Sequence, residues 1–224
     1  MKTIQRILIL LTFTFAGCTN GHQEAVDYQK IAHELLAMRE TDQEFNNLLA
    51  TGDPRSKEDG FSDQMNQMYL DNTSRMVEIF KEIGYPSTEQ IGPEAADAFW
   101  ILVQHSDSNP EFQEKAASAM KQVVKNGGAK GDKLAYLTDR YLINTGRAQQ
   151  YGTQLDYDMD LGKAFPKSLA SPRGVDQRRA EVGLAPLWEY MNEVCEMHFS
   201  WNEEHYRKLG VTEPWTYPEG YLDW

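Results

Sequence analysis

The stretch GPEAADAFWILVQHSDSNP, residues 92–110, decides how the chain is read. Gly92-Pro93 puts a proline in the first turn of a helix, where its missing N–H costs nothing and its fixed φ already fits. Ala96, Phe99, Trp100, Leu102 and Val103 then supply one buried side at helical spacing. Asn109-Pro110 repeats the device, an N-cap followed by proline. It opens the next helix through Phe112, Ala116, Met120, Val123 and Val124 to Asn126-Gly127-Gly128. Between the two helices, His105, Ser106 and Asp107 end an apolar run with groups that can move protons or bind metal.

The same period extends in both directions. Upstream, Ile31, Leu35, Leu36, Met38, Phe45, Leu48 and Leu49 make one amphipathic helix. Thr51–Gly60 interrupts it with two glycines and a proline. The pattern resumes through Phe61, Met65, Met68, Tyr69, Met76, Ile79, Phe80 and Ile83, and Gly84 stops it ahead of Pro86. Downstream, a helix follows Asp132 through Leu134, Leu137, Tyr141 and Leu142 and ends near Asn144-Thr145-Gly146. Residues 147–172 differ, because Tyr151–Tyr157 alternates and is rich in β-formers. Helical signals return over Val175–Val182 and stop at Gly183. Pro186 opens a long last helix through Trp188, Met191, Val194, Cys195, Phe199 and Trp201 to Gly210. The fold class is therefore mainly α, a multi-helix bundle with a small β-hairpin or extended loop near 147–172. The aromatic tail Trp215–Trp224 is expected to pack back onto it.

A chain of 224 residues with 41% hydrophobic residues has enough apolar material for a packed core, and its length suits one helical domain over 27–224. A net charge of -12, with no dense Lys/Arg run, excludes nucleic acid as the main partner. Lys2 and Arg6 precede the apolar run Ile7–Phe15, and Ala16-Gly17 lead into Cys18, the layout of an export signal at 1–17. Phe15-Ala16-Gly17-Cys18 resembles a bacterial lipobox, which makes Cys18 the lipid-modified first residue, residues 18–26 a tether, and the cell envelope the location. An ordinary cleaved signal with a chance cysteine is the alternative. Without its leader the chain carries about -14, so anionic head groups repel it and attachment rests on the acyl chains alone. With Cys18 acylated, Cys195 has no disulfide partner and reads as a buried, inert thiol.

Four polar clusters are candidates for chemistry. His105 is a candidate general acid or base with Asp107 to orient it, the alternative being a histidine that caps its helix. Asp139 and Arg140 adjoin in mid-helix, about 100° apart, so each needs its own partner. They either staple neighbouring helices or line a cleft, with Asp139 as a third catalytic candidate. The segment Gly146–Gln154 offers Gln149, Tyr151, Thr153 and Gln154 around a glycine. Arg178 and Arg179 present two guanidinium forks in an acidic chain. His198 and His205 are seven apart rather than four, so no metal site is expected there. No Walker A loop, dinucleotide glycine fingerprint, Gly-x-Ser-x-Gly elbow or CxxC pair occurs, and no cofactor is expected.

Ile83-Gly84-Tyr85-Pro86, the Trp100–Asp107 run, Ala135–Arg140, Gln149–Gln154 and Arg178–Leu184 together resemble the blocks of a widespread bacterial family of unknown function. The resemblance covers roughly residues 35–192. It implies that the polar blocks are family features, and it implies no activity. The family pattern has an arginine shortly after an Asp-Gln pair, where this chain has Asp42-Gln43-Glu44-Phe45-Asn46.

Two functions of different kinds follow. An enzyme of hydrolase or transferase type would use His105 as acid or base. Arg140, Arg178 or Arg179 would hold an anionic group, with Gln149 and Gln154 orienting it. It requires His105, Asp139 and at least one of those arginines to meet around one cavity. A lipid-anchored protein that binds a small polar or anionic ligand, or a protein partner through its aromatic tail, would use the same residues as an interior network. Binding is favoured, since no established nucleophile or metal set is visible.

Overall fold

The computed structural model describes residues 25–221. The leader expected at 1–17, Cys18, the expected tether as far as residue 24 and residues 222–224 of the tail lie outside them.

Helix α1 (Tyr28–Ala50) is capped by Asp27, whose carboxylate accepts the Lys30 N–H at 3.0 Å. A 3-10 turn over Pro54–Lys57 leads to α2 (Phe61–Ile83), which Gly84 ends with φ 68°. A four-residue helix, α3 (Thr88–Ile91), follows with a capping box between Ser87 and Gln90. Its brevity hid it from the periodicity. The two proline-opened helices are α4 (Pro93–Gln104) and α5 (Pro110–Lys125), the latter capped by Asn109, which accepts the Phe112 N–H at 3.1 Å. Then come α6 (Gly131–Asn144) and an antiparallel hairpin of β1 (Leu155–Asp158) and β2 (Lys163–Pro166), with Tyr157 opposite Ala164.

The chain closes with α7 (Val175–Glu181), α8 (Leu187–Trp201) and α9 (Glu203–Lys208). The long last helix expected from Pro186 to Gly210 is thus two helices broken at Asn202. There the Asn202 side-chain amide donates to the His198 carbonyl at 2.9 Å and competes for the last turn of α8.

Two apolar cores organise these elements. The larger gathers Leu35, Met76, Ile79, Phe99, Leu102 and Leu137 from α1, α2, α4 and α6, with α5 adding Phe112 and Met120. The smaller joins Ala164, Val175, Leu187, Met191, Cys195 and Tyr217 beneath the hairpin, α7, α8 and the tail. Each fully buried side chain of this size contributes about 1.5–3 kcal/mol. The tail packs back as its aromatics imply: Tyr217 donates its N–H to Asn192 Oδ1 at 2.7 Å, and its hydroxyl donates to the Ala164 carbonyl. Cys195 is buried, its sulfur accepts the Ala164 N–H at 3.2 Å, and burial pushes its thiol pKa up.

Between the cores runs the 149–154 loop. Gly152 adopts φ 72°, and a Cβ there would stand 2.8 Å from Leu187 Cδ1, so only glycine lets the loop lie against the start of α8.

Candidate functional site

The site begins with an acid on an apolar stripe. Asp42 follows Ile31, Leu35 and Met38 at spacings of four, three and four, so α1 carries its carboxylate to the buried side, where its exposure is 0%. Both of its oxygens lie 2.9 Å from Nδ1 of His105, the C-cap residue of α4. Gln43 and Asn46 add side-chain amide donors to Oδ1 at 3.0 and 3.2 Å. With the carboxylate accepting, Nδ1 is the ring's donor, and in the neutral ring Nε2 keeps the lone pair. Tyr69 of α2 meets the imidazole edge-on, with centroids 5.7 Å apart, and donates its hydroxyl to Asn46 Oδ1 at 3.0 Å. Burial pushes the Tyr69 phenol pKa up. The ring is held on one nitrogen and one edge, and among the described residues Nε2 has no hydrogen-bond partner.

Asp107 does not orient His105. Ser106 is fully buried and bonds back to the Leu102 and Val103 carbonyls at 2.8 and 3.1 Å, which turns the chain and sends Asp107 toward α6. There it takes the Arg140 fork, with Nε at 2.8 Å and Nη2 on the second oxygen, together with the Asn144 and Gln113 amides. Burial acts to raise the Asp107 pKa. The Arg140 hydrogen bonds and charge, with Asn144 and Gln113, outweigh it and hold the carboxyl below its ordinary range.

Asp139 does not line a cleft with His105. It is fully buried, and its carboxylate accepts the N–H groups of Gln150, Tyr151 and Thr153 at 2.7, 3.1 and 2.9 Å and the Thr153 hydroxyl at 3.0 Å. Burial raises its pKa; those donors draw it back in part, and the net direction is upward. No face is left for a substrate, and Asp139 instead shapes the 149–154 loop.

The rest of the loop cluster serves the same end. Gln149, also fully buried, donates to the Gln154 and Lys167 carbonyls and accepts the Gln154 N–H at 2.9 Å. Arg179 is 1% exposed, donates to the Ala185 and Tyr151 carbonyls and lies 5.0 Å over the Tyr190 ring. Burial lowers its pKa. Arg178 donates to the Gln150, Arg173 and Ser171 carbonyls. Tyr151 and Thr153 are tied to Asp139 through their backbones. Gln149, Thr153, Arg178 and Arg179 therefore form a seam whose side chains bond to protein, with Tyr151 held in it through its backbone. Gln154 alone reaches the other group, accepting from Arg140 Nη1 at 3.2 Å.

His105, Asp107 and Arg140 converge, but Asp139 does not join them, so the meeting of His105, Asp139 and an arginine around one cavity, expected above for an enzyme, is not found. His105, Asp107 and Arg140 face a cleft of about 490 Å³ whose opposite wall is Asn46, Asn66, Tyr69 and Leu70, with Ser108 at its edge. A wider groove of about 950 Å³ runs along the outer side of α1 and the Pro54–Lys57 turn. Its arginines are engaged, Arg55 with Asp53 and Arg39 with the Glu94 carbonyl, and no imidazole there is oriented by a buried acid. The smaller cleft is the stronger candidate on chemical grounds. His198 and His205 stand apart from both clefts against Tyr206, whose hydroxyl is 2.9 Å from His198 Nδ1.

Residues 29–199 match the model of a family of unknown function, DUF6624. The chain belongs to that family. The matched span holds the whole cleft and the whole seam, and it stops before α9 and the tail. No curated protein and no solved structure matches the chain.

Asp42, Asn46 and Tyr69 escaped the sequence reading as site residues. The available signal was positional: an acid occupying an apolar stripe must find a partner on another element.

Proposed function

We propose that this chain is an envelope lipoprotein, anchored through acyl chains on Cys18, whose cleft among α1, α2, α4 and α6 binds a small polar ligand at His105. What carries this function is one contact, the buried Asp42 carboxylate fixing Nδ1 of a histidine that lines a cavity. A capping histidine needs no buried carboxylate behind it.

The charge arrangement narrows the ligand. Arg140 is neutralised by Asp107, with two hydrogen bonds to it, so the cleft offers no uncompensated cation for a strongly anionic group. Hydroxyls and amides suit it better: Nε2 accepts, the Asn66 amide is exposed at the rim, and Leu70, 48% exposed, gives an apolar wall for a ring face. A volume of about 490 Å³ holds a ligand the size of a sugar or short peptide.

A hydrolase or transferase is the second reading, favoured by the Asp42–His105 pair itself. Nε2 would take the proton of a bound hydroxyl or water, and Asp42 would stabilise the imidazolium that forms. Help of this kind is typically worth roughly 100- to 10,000-fold in rate.

Thermal-shift measurements with neutral disaccharides, phosphorylated sugars and peptidoglycan fragments test the binding site. A ligand at about 100 times its Kd adds about 2.7 kcal/mol of stability. The wild type should gain this and His105→Gln should not. Equal gains in both would move the ligand elsewhere, and product analysis of the same mixtures separates enzyme from binder. The mass of the N-terminal peptide reads the acylation of Cys18.

A further inference from the structure

Four of the residues that line the cleft have only lone pairs left to offer. Tyr69 donates its hydroxyl to Asn46 Oδ1 at 3.0 Å, and Ser108 turns its own toward Thr73 Oγ1 at 3.4 Å. His105 in its neutral form gives its one N–H to Asp42. Asp107, ionised, has no hydrogen to give. Its Oδ1 takes three donors, from Gln113, Arg140 and Asn144, whereas among the described residues Oδ2 takes only Arg140 Nη2. The Asp107 side chain is 45% exposed. All four residues line the same cavity of about 490 Å³.

Charge points the same way. Behind the histidine, Asp42 is met by the neutral amides of Gln43 and Asn46, and among the described residues no lysine or arginine bonds to it. Asp107 is matched by Arg140, so with a neutral imidazole the two carboxylates and the single guanidinium leave one negative charge at the cleft. Tyr69 registers that surplus. Burial is the main cause raising its phenol pKa and the Asn46 hydrogen bond opposes it; among the charges, Asp42 and Asp107 push it up ahead of the downward pull of Arg140.

We propose that the cleft takes a ligand bearing a protonated primary amine on a small polar frame, its ammonium received by His105, Tyr69 and Asp107; this rests on the binding site described above. An ammonium carries three N–H donors and no acceptor, which complements a wall of lone pairs, and its charge matches the surplus carboxylate. A hydroxyl could meet Nε2 but would leave that charge unanswered. The remaining donors suit the frame. The exposed Asn66 amide makes no hydrogen bond among the described residues, and Arg140 keeps N–H groups beyond those held by Asp107 and Gln154. They can serve ring or carbonyl oxygens, with exposed Leu70 against an apolar part. An unacetylated amino sugar and the side chain of a diamino acid both have this chemistry.

The test is calorimetric titration of the full chain with two amines, glucosamine and Nα-acetyl-lysine amide, and with their N-acetylated forms, beside glucose and glucose 6-phosphate. Acetylation removes the charge and leaves a single N–H. Each amine should bind at least about tenfold more tightly than its acetylated form, the equivalent of one hydrogen bond to a charged group. Asp107→Asn should shrink that preference and strengthen glucose 6-phosphate, because Arg140 loses its counter-ion. Arg140→Gln should widen it. Opposite shifts in the two variants do not arise from a cleft that has lost its fold, which weakens every probe alike. Whichever amine binds more tightly assigns the frame, sugar or amino acid. Equal binding of amines and acetylated forms, lost from both in His105→Gln, overturns the amine and leaves the cleft a site for neutral ligands. Failure of both amines to bind at millimolar concentration overturns it as well. Binding that survives in His105→Gln places the ligand elsewhere and takes the binding reading down with it.

Discussion

Asp42 on α1 and His105 at the end of α4, 63 residues apart in sequence, meet with Nδ1 equidistant, at 2.9 Å, from both carboxylate oxygens. Asp42 is fully buried, so no bulk water can replace the imidazole. Asp42→Ala should therefore lower stability by about 1.5–3 kcal/mol, the range for losing hydrogen bonds to a charged group. His105→Gln should stay within about 1 kcal/mol of wild type, because a glutamine amide can donate to Asp42 in its place. Urea unfolding of the two variants checks both values. A larger loss for His105→Gln would make the histidine a structural element first.

Asp139 should behave in the opposite way to His105. Its carboxylate takes three backbone N–H groups and a hydroxyl, and Asp139→Ala leaves those donors buried and unmatched. A loss of about 3 kcal/mol or more is expected. Hydrogen exchange should speed up first at the amides of Gln150, Tyr151 and Thr153. Unchanged protection there would show that the loop is held by something else.

How much of this was legible in the sequence depends on whether the signal was local. Gly92-Pro93 and Asn109-Pro110 mark α4 and α5 correctly because capping and proline geometry are settled within one turn. The alternation at Tyr151–Tyr157 found the hairpin only in part, since β1 begins at Leu155 and the residues before it are the loop held by Asp139. Pairing across the fold left no local trace. Asp107 sits two residues from His105, yet buried Ser106 turns it to Arg140. Asp139 and Arg140 adjoin in sequence and part company, one to the seam and one to the cleft. Asp42 did leave a local trace, passed over in the sequence reading: the spacing Ile31, Leu35, Met38, Asp42 places an acid where a leucine would be ordinary.

Gly152→Ala should destabilise by about 1 kcal/mol from its positive φ alone, with more from contact with Leu187. In a double-mutant cycle with Leu187→Val, which trims the side chain that the new Cβ would strike, the two changes should couple favourably. Strict additivity would mean that the loop relaxes away from α8.

Acid sensitivity should trace in part to Asp107. Its folded pKa lies below the ordinary 3.8, so its contribution is complete above that value and is lost as pH falls through it toward the depressed one. Asp139, raised in the folded state, works in the opposite sense: its contribution is present below the ordinary carboxylate value and is lost as pH rises through its folded pKa. Asp107→Asn should therefore flatten the acid limb of the stability curve, measured by urea midpoints at successive pH values below neutrality. A limb as steep as that of the wild type would exclude the Arg140 pair as its source.

The Cys195 thiol, buried and with its pKa pushed up, should resist a disulfide reagent until the protein unfolds. Its labelling rate in graded urea should follow the unfolding curve. Rapid labelling of native protein would place it in an open site.

The central claim is that Asp42 fixes the tautomer of cleft-lining His105 and leaves Nε2 unprotonated in the neutral ring. Long-range proton–nitrogen NMR of the imidazole, in wild type and Asp42→Asn, reads this directly. Wild-type His105 in its neutral form should carry its proton on Nδ1 and show an unprotonated Nε2, and that preference should weaken in Asp42→Asn. A wild-type ring protonated on Nε2, or a tautomer indifferent to residue 42, would contradict the account.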